Sequence, residues 1–152
     1  MRSCATPIAE LLPQAAPMVL LDAVLGWDVD RLDAAVTIRA DSPFSCPGLG
    51  VPVHVGIEYM AQACGALSGI EACAAGRPVR IGYLLGTRRF LAAVDWFPQN
   101  ADLTVRIGAV FRDEDMGVFD CVIHGGGREL AKAQLTVHVP AGAGMARRQA
   151  GG

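Results

Sequence analysis

Residues 50–69 read GVPVHVGIEYMAQACGALSG. From 55 to 75 the chain is mainly Ala, Met, Leu, Ile, Cys and Gly without a proline, and GRP at 76–78 supplies the glycine-then-proline stop that ends helices. One long central helix over 55–75 is therefore expected. Gly56, Gly65 and Gly69 each cost roughly 1 kcal/mol relative to alanine inside a helix, so the helix should pass very close to a neighbour. A sheet wrapped around it would provide one. The segment approaches the length of a membrane span, yet Glu58, Gln62, Ser68 and Glu71 interrupt it, and spanning helices carry few such groups. A buried helix in a soluble protein, with no membrane span, is the expectation.

Upstream, residues 7–12 make a short helical start that Pro13 and Pro17 prevent from extending. A first strand is expected at about 18–25, a turn at DVDR (28–31), and a second strand at 34–39, AAVTIR. ADSPFSCPGLGVPVH, with three prolines and two glycines, is a tight loop delivering the chain into the helix. Downstream, strands are expected at 79–94, 102–113, 116–125 and 128–139, separated by DWFPQNA, DEDM and GGG turns. In 102–113, Leu103, Val105, Ile107, Ala109 and Phe111 alternate with more polar or small residues, the period of a half-buried strand. Strands, one apolar helix, then a run of strands define an α+β domain with the helix against an antiparallel meander. The domain should occupy residues 1–140, and 141–152, AGAGMARRQAGG, reads as a disordered tail.

At 152 residues the chain suits a single domain. A composition 52% hydrophobic and 18% charged leaves apolar surface for a partner subunit to cover, so an oligomer is expected. A net charge of -2 disfavours nucleic acid as a partner. The cysteines at 4, 46, 64, 73 and 121 are odd in number and form no CxxC pair, which reads as small buried hydrophobes of a reducing cytoplasm rather than a disulfide framework or a zinc site. The opening MRSCATPIAE does not have the pattern of a signal peptide.

Three stretches carry a resemblance. LLPQAAPMVLLDAV (11–24), GIEYMAQACGAL (56–67) and DWFPQNADL (95–103) resemble, respectively, the opening, the central-helix signature and the proline-containing turn of the hot-dog 3-hydroxyacyl-acyl-carrier-protein dehydratases, the FabZ-like family. The similarity covers about residues 8–139. That family carries its catalytic histidine in a His-Phe-Pro-Gly loop, whereas SCPG at 45–48 puts Ser45 in that place. VPVHVGIEYMAQ and GYLLGTRRF (82–90) are similar to a diverged branch, the ApeP-type dehydratase-like proteins of aryl-polyene biosynthesis clusters. The resemblance implies a hot-dog fold and dehydration of (3R)-3-hydroxyacyl thioesters to trans-2-enoyl thioesters. It implies acyl carrier protein, with its phosphopantetheine-linked acyl chain, as partner. It implies a site at the interface of a homodimer, or of a heteromer with another hot-dog subunit, and His54 in the role of the missing loop histidine.

Dehydrating a 3-hydroxyacyl thioester takes a proton from C2 while the C3 hydroxyl leaves as water, so one base and one acid must flank adjacent carbons. At i, i+4 spacing His54 and Glu58 would share a helix face, and with His54 on the preceding loop they would still lie near one pocket. Backbone N–H groups at Val55, Gly56 and Ile57, with the positive end of the helix, would steady charge on the thioester oxygen. Gly56 would let the substrate approach the backbone closely. Gln62, one turn beyond Glu58, would either orient that carboxylate, facing the substrate, or be satisfied by a neighbouring strand. Arg88 and Arg89 are candidates for the acidic carrier or its phosphate, or are an ordinary solvated pair. His124 and His138 read as a turn and a surface residue, Cys46 and Cys64 lack a histidine at telling spacing, and no metal or cofactor is expected. A hot-dog thioesterase, with Glu58 activating water, and a non-catalytic subunit completing a heteromeric dehydratase are the alternatives.

Overall fold

The computed structural model describes residues 1–139; the expected tail at 141–152 lies outside them. Helix α1 (Ile8–Leu11) is followed by β1 (Ala23–Trp27), β2 (Arg31–Thr37), β3 (Val51–Pro52), a 3-10 turn (Val53–Val55), α2 (Gly56–Ala74), β4 (Tyr83–Ala92), β5 (Trp96–Phe97), β6 (Asp102–Arg112), β7 (Met116–Gly125) and β8 (Arg128–His138). Six strands form one antiparallel sheet in the order β1-β2-β6-β7-β8-β4, and β3 pairs with β5 as a small second sheet. The large sheet curls around α2, which packs on β2, β6, β7 and β8. This is the hot-dog arrangement. Alternation does the sorting: Leu103, Val105 and Ile107 on β6 meet Met60, Ala63 and Leu67 of α2 in one core, while their neighbours face outward.

The helix glycines have three different neighbours. A methyl on Gly56 would sit 2.9 Å from Ile123 Cδ1 and 3.1 Å from Phe97 Cζ, so this glycine lets the sheet close on the helix start. Gly69 is approached by the backbone of Leu11, which belongs to α1 and not to the sheet. Gly65 meets only the Leu12 side chain, at an ordinary 3.5 Å. The sheet is thus one of two elements pressed on α2.

Several expectations change, among them the loop and turn at Val51–Pro52 and Trp96–Phe97, which pair as β3 and β5. Residues 18–22 are not strand, and β1 begins at Ala23: the Met18 carbonyl and the Leu20 N–H are bonded to the Gln62 side chain, and the backbone joins β2 only from the Asp22 N–H, which donates to the Ala35 carbonyl. Of the five cysteines only Cys64 and Cys121 are buried, and Cys73 is exposed near the end of α2.

The two sheet edges differ. On the outer edge of β1, Arg2 exchanges both backbone hydrogen bonds with Trp27 and its guanidinium lies 4.9 Å from the Trp27 ring centre. β4, at the other edge, exposes Tyr83, Leu84, Leu85 and Leu91. A ten-residue edge strand with apolar exposed ends of this kind is a template for a second chain.

Candidate active site

Glu58 stands in the first turn of α2, half-buried, and Gln62 stands one turn on with only 1% of its surface exposed. The Gln62 amide is held at both ends. Its Oε1 accepts the Leu20 N–H at 2.8 Å, so its Nε2 must face the other way, donating to the Met18 carbonyl at 2.7 Å and to Glu58 Oε1 at 3.1 Å. Both Gln62 amide protons are thus used within the chain, one of them on the Glu58 carboxylate, which it positions. The second oxygen of Glu58 has no hydrogen-bond partner among the described residues.

Glu58 and Gln62 line a cleft of about 580 Å³ that follows one face of α2 past Gly65 and Ser68 to Glu71. At 1.5 Å per residue this is a run of roughly 20 Å. Gln14 and Tyr83 form part of its walls, as does Arg112, whose guanidinium meets Glu71 and donates to the Val29 carbonyl at 2.9 Å. Gln14, Glu71 and Arg112 were not among the candidates. The helical spacing of Glu58, Gln62, Gly65 and Ser68 carried a signal for this face; nothing local marks Gln14 or Arg112.

His54 is placed elsewhere. It is exposed on the 3-10 turn and is not part of the cleft wall, so within one chain it does not share a pocket with Glu58. His54 precedes the start of α2 at Gly56, on a 3-10 turn whose side chains are spaced about 3.0 rather than 3.6 residues to the turn. Val55, Gly56 and Ile57 are likewise absent from the wall. The Gly56 N–H is taken by the Val53 and His54 carbonyls, and its missing side chain admits Phe97 and Ile123 rather than substrate. Arg88, on β4, stands opposite Gln134 of β8 in the strand register, and Arg89 lines a shallow groove with Arg31, Arg106 and Lys132, apart from the Glu58 cleft.

Two neighbouring groups are chemically quiet. Burial, and secondarily the Asp22 carboxylate, push the Tyr59 phenol up to about 12, so it stays protonated beside Phe97. Burial, followed by the adjacent Cys121 thiol, raises Cys64 well above the ordinary range, which keeps it a thiol and not a nucleophile.

Replacing Gln62 with leucine should cost both stability and rate. The Leu20 N–H and Met18 carbonyl would lose their partner, at about 1–3 kcal/mol for each group left buried and unpaired, and Glu58 would lose its orienting bond. Thermal unfolding and turnover of the variant check this; an unchanged midpoint would show that the clamp contributes nothing.

Comparison with known proteins identifies the family. The family model described as ApeP-like, ApeP dehydratase, matches residues 6–147. A chain in the dehydratase heterocomplex ApeI:P from Xenorhabdus doucetiae is 30% identical, with a TM-score of 0.84 over 95% of this chain and 97% of that one. A hypothetical thioesterase protein from Streptococcus pneumoniae TIGR4, solved with coenzyme A, shares the fold at 16% identity, TM-score 0.59, over 77% of this chain and 84% of that one. So does smu.793 from Streptococcus mutans UA159, bound to acetyl CoA, at 14% identity and TM-score 0.58 over 77% and 86%. No curated protein matches the sequence. With a hot-dog fold, a carboxylate clamped at the head of the central helix and a family match over nearly its whole length, the chain belongs to the ApeP-like dehydratase family.

Proposed function

We propose that this protein dehydrates (3R)-3-hydroxyacyl thioesters carried on acyl carrier protein, in aryl-polyene-type synthesis. The observation that carries the reading is Glu58, held on the cleft by Gln62 with one oxygen unengaged. His54, as the neutral imidazole, takes the C2 proton; the C2 electron pair forms the C2–C3 double bond as the C3–O bond breaks; Glu58 gives its proton to the departing hydroxyl, which leaves as water. The proton returns from His54 to Glu58 through solvent before the next cycle. Val55, Gly56 and Ile57 come with the His54 that serves the site and bring the positive end of that helix to the thioester oxygen, the Gly56 N–H being already taken by the Val53 and His54 carbonyls.

Because the cleft reaches Glu58 and not His54 in one chain, each site in this reading is built by two subunits, His54 coming from the protomer paired across β4. Leu85, 56% exposed on that edge, tests the pairing. Leu85→Glu should convert the assembly to monomers at micromolar concentration in sedimentation, with protomer stability within about 0.5 kcal/mol of wild type. A wild-type chain that is already monomeric would remove the composite site.

Arg88 and Arg89 are assigned to the carrier as long-range attraction only, since Arg89 faces away from the cleft. A second reading is favoured by the likeness to a chain from a dehydratase heterocomplex: this protein completes such a complex and shapes its acyl site without turning over alone. Presenting a (3R)-3-hydroxyacyl chain on holo carrier protein and on coenzyme A tests the proposal. Enoyl product from both, with higher kcat/KM on the carrier, is expected. No enoyl product from either, with activity appearing only on addition of a second hot-dog subunit, would transfer the assignment to the second reading.

A further inference from the structure

We infer that Gln14 binds the amide N–H of the cysteamine unit in a pantetheine thioester, so that the cleft reads the arm as well as the acyl group. Gln14 lines the same cleft as Glu58, and its Oε1 is buried with no hydrogen-bond donor among the described residues. An acceptor left in that state costs about 1–3 kcal/mol, and the large majority of buried polar atoms avoid it. A donor that arrives with the ligand resolves the cost.

The position of Gln14 selects which donor. The stretch from Leu11 to Leu20 runs back along α2: the Leu11 backbone lies on Gly69, the Leu12 side chain on Gly65, and Met18 and Leu20 on Gln62. In chain order Gln14 stands between Leu12 and Met18, whose contacts on α2, Gly65 and Gln62, lie about one to two helical turns beyond Glu58. A 3-hydroxyacyl thioester carries two kinds of neutral donor near its reacting carbons. The 3-hydroxyl must sit at Glu58, which protonates it on departure. The cysteamine N–H lies on the other side of the sulfur, separated from it by two methylenes, and so meets an acceptor set back from Glu58. This inference rests on the thioester reading of the cleft, and it adds a feature of the ligand that the reaction itself does not require.

The test uses two unreactive ligands with the full chain: S-butyryl-N-acetylcysteamine, and its oxygen-ester analogue in which O replaces the N–H. Calorimetry on the wild type should show about a tenfold preference for the amide, the scale of one net hydrogen bond. Gln14→Leu should bind both ligands alike, and Gln14→Glu, which keeps an acceptor, should retain a preference. The Gln14→Leu unfolding midpoint should not fall, because the lost oxygen had no protein partner. A wild type indifferent to the exchange, or a Gln14→Leu variant that keeps the preference, overturns the inference. The first outcome is read on wild type even if the variant does not fold. Dehydration without amide preference removes Gln14 alone, whereas amide preference without dehydration removes the reaction and leaves the arm site standing.

Discussion

Replacing Glu58 with glutamine should lower turnover by at least about two decades, since general acid–base groups commonly contribute 10²- to 10⁴-fold, about 3 to 5 kcal/mol of barrier. Glutamine keeps the shape and the bond partner of the carboxylate on the Gln62 side but has no proton to give. His54→Ala should lose a comparable factor while folding normally, because His54 is exposed and its side chain has no hydrogen bond among the described residues. Ser45→Ala should change little: the Ser45 hydroxyl is buried without a partner, so removing it takes away no interaction. If two subunits build each site, mixing the inactive variants should restore roughly a quarter of wild-type activity, since half of randomly formed two-fold dimers then hold one intact site out of two. Near-normal turnover by His54→Ala would remove the relocated base, and a mixture as inactive as its parts would put both groups in one chain.

Gly69→Ala carries the largest expected cost to the fold. The added methyl would overlap the Leu11 carbonyl, which is backbone and does not rotate away. Relief requires the α1 segment to move, and that segment buries Leu11 and Leu12 and leads to the Met18 and Leu20 groups that clamp Gln62. Helix propensity favours alanine by about 1 kcal/mol. The overlap should outweigh this, leaving a net loss of about 2 kcal/mol or more and a thermal midpoint lower by roughly 4–8 °C for a chain of this size. Gly65→Ala is the matched contrast. Its neighbour is the end of the Leu12 side chain at ordinary contact distance, so the propensity gain should dominate and the midpoint should hold or rise. Equal stability of the Gly69 variant and wild type would mean that α1 does not press on the helix there.

The elements most legible from residue order were those set by period and punctuation. The proline-free run closed by GRP became α2, and the alternation of Leu103, Val105 and Ile107 became the inward face of β6. Residues 18–22 misled because they are apolar enough for a strand, yet the Met18 carbonyl and the Leu20 N–H are matched by Gln62, some forty positions away, and no local pattern reports such a partner. The same holds for Gly56 and Gly69, whose need for a close neighbour was visible while the identity of the neighbour was not. At the site, Glu58 was readable as a carboxylate needing a reason at the head of an apolar helix. The separation of His54 from it was not, because His54 falls on a three-residue 3-10 turn, Val53–Val55, ahead of the helix. Gln14 and Arg112 reach the cleft from distant parts of the chain, and only the folded arrangement brings them there.

The central claim is tested most directly by incubating the purified protein with a (3R)-3-hydroxyacyl thioester while enoyl absorbance and free thiol are followed in the same sample. Dehydration by Glu58 and His54 predicts that enoyl absorbance rises and that no thiol is released. Thiol released without enoyl product would contradict it, showing that the carboxylate activates water and that the protein hydrolyses its thioester.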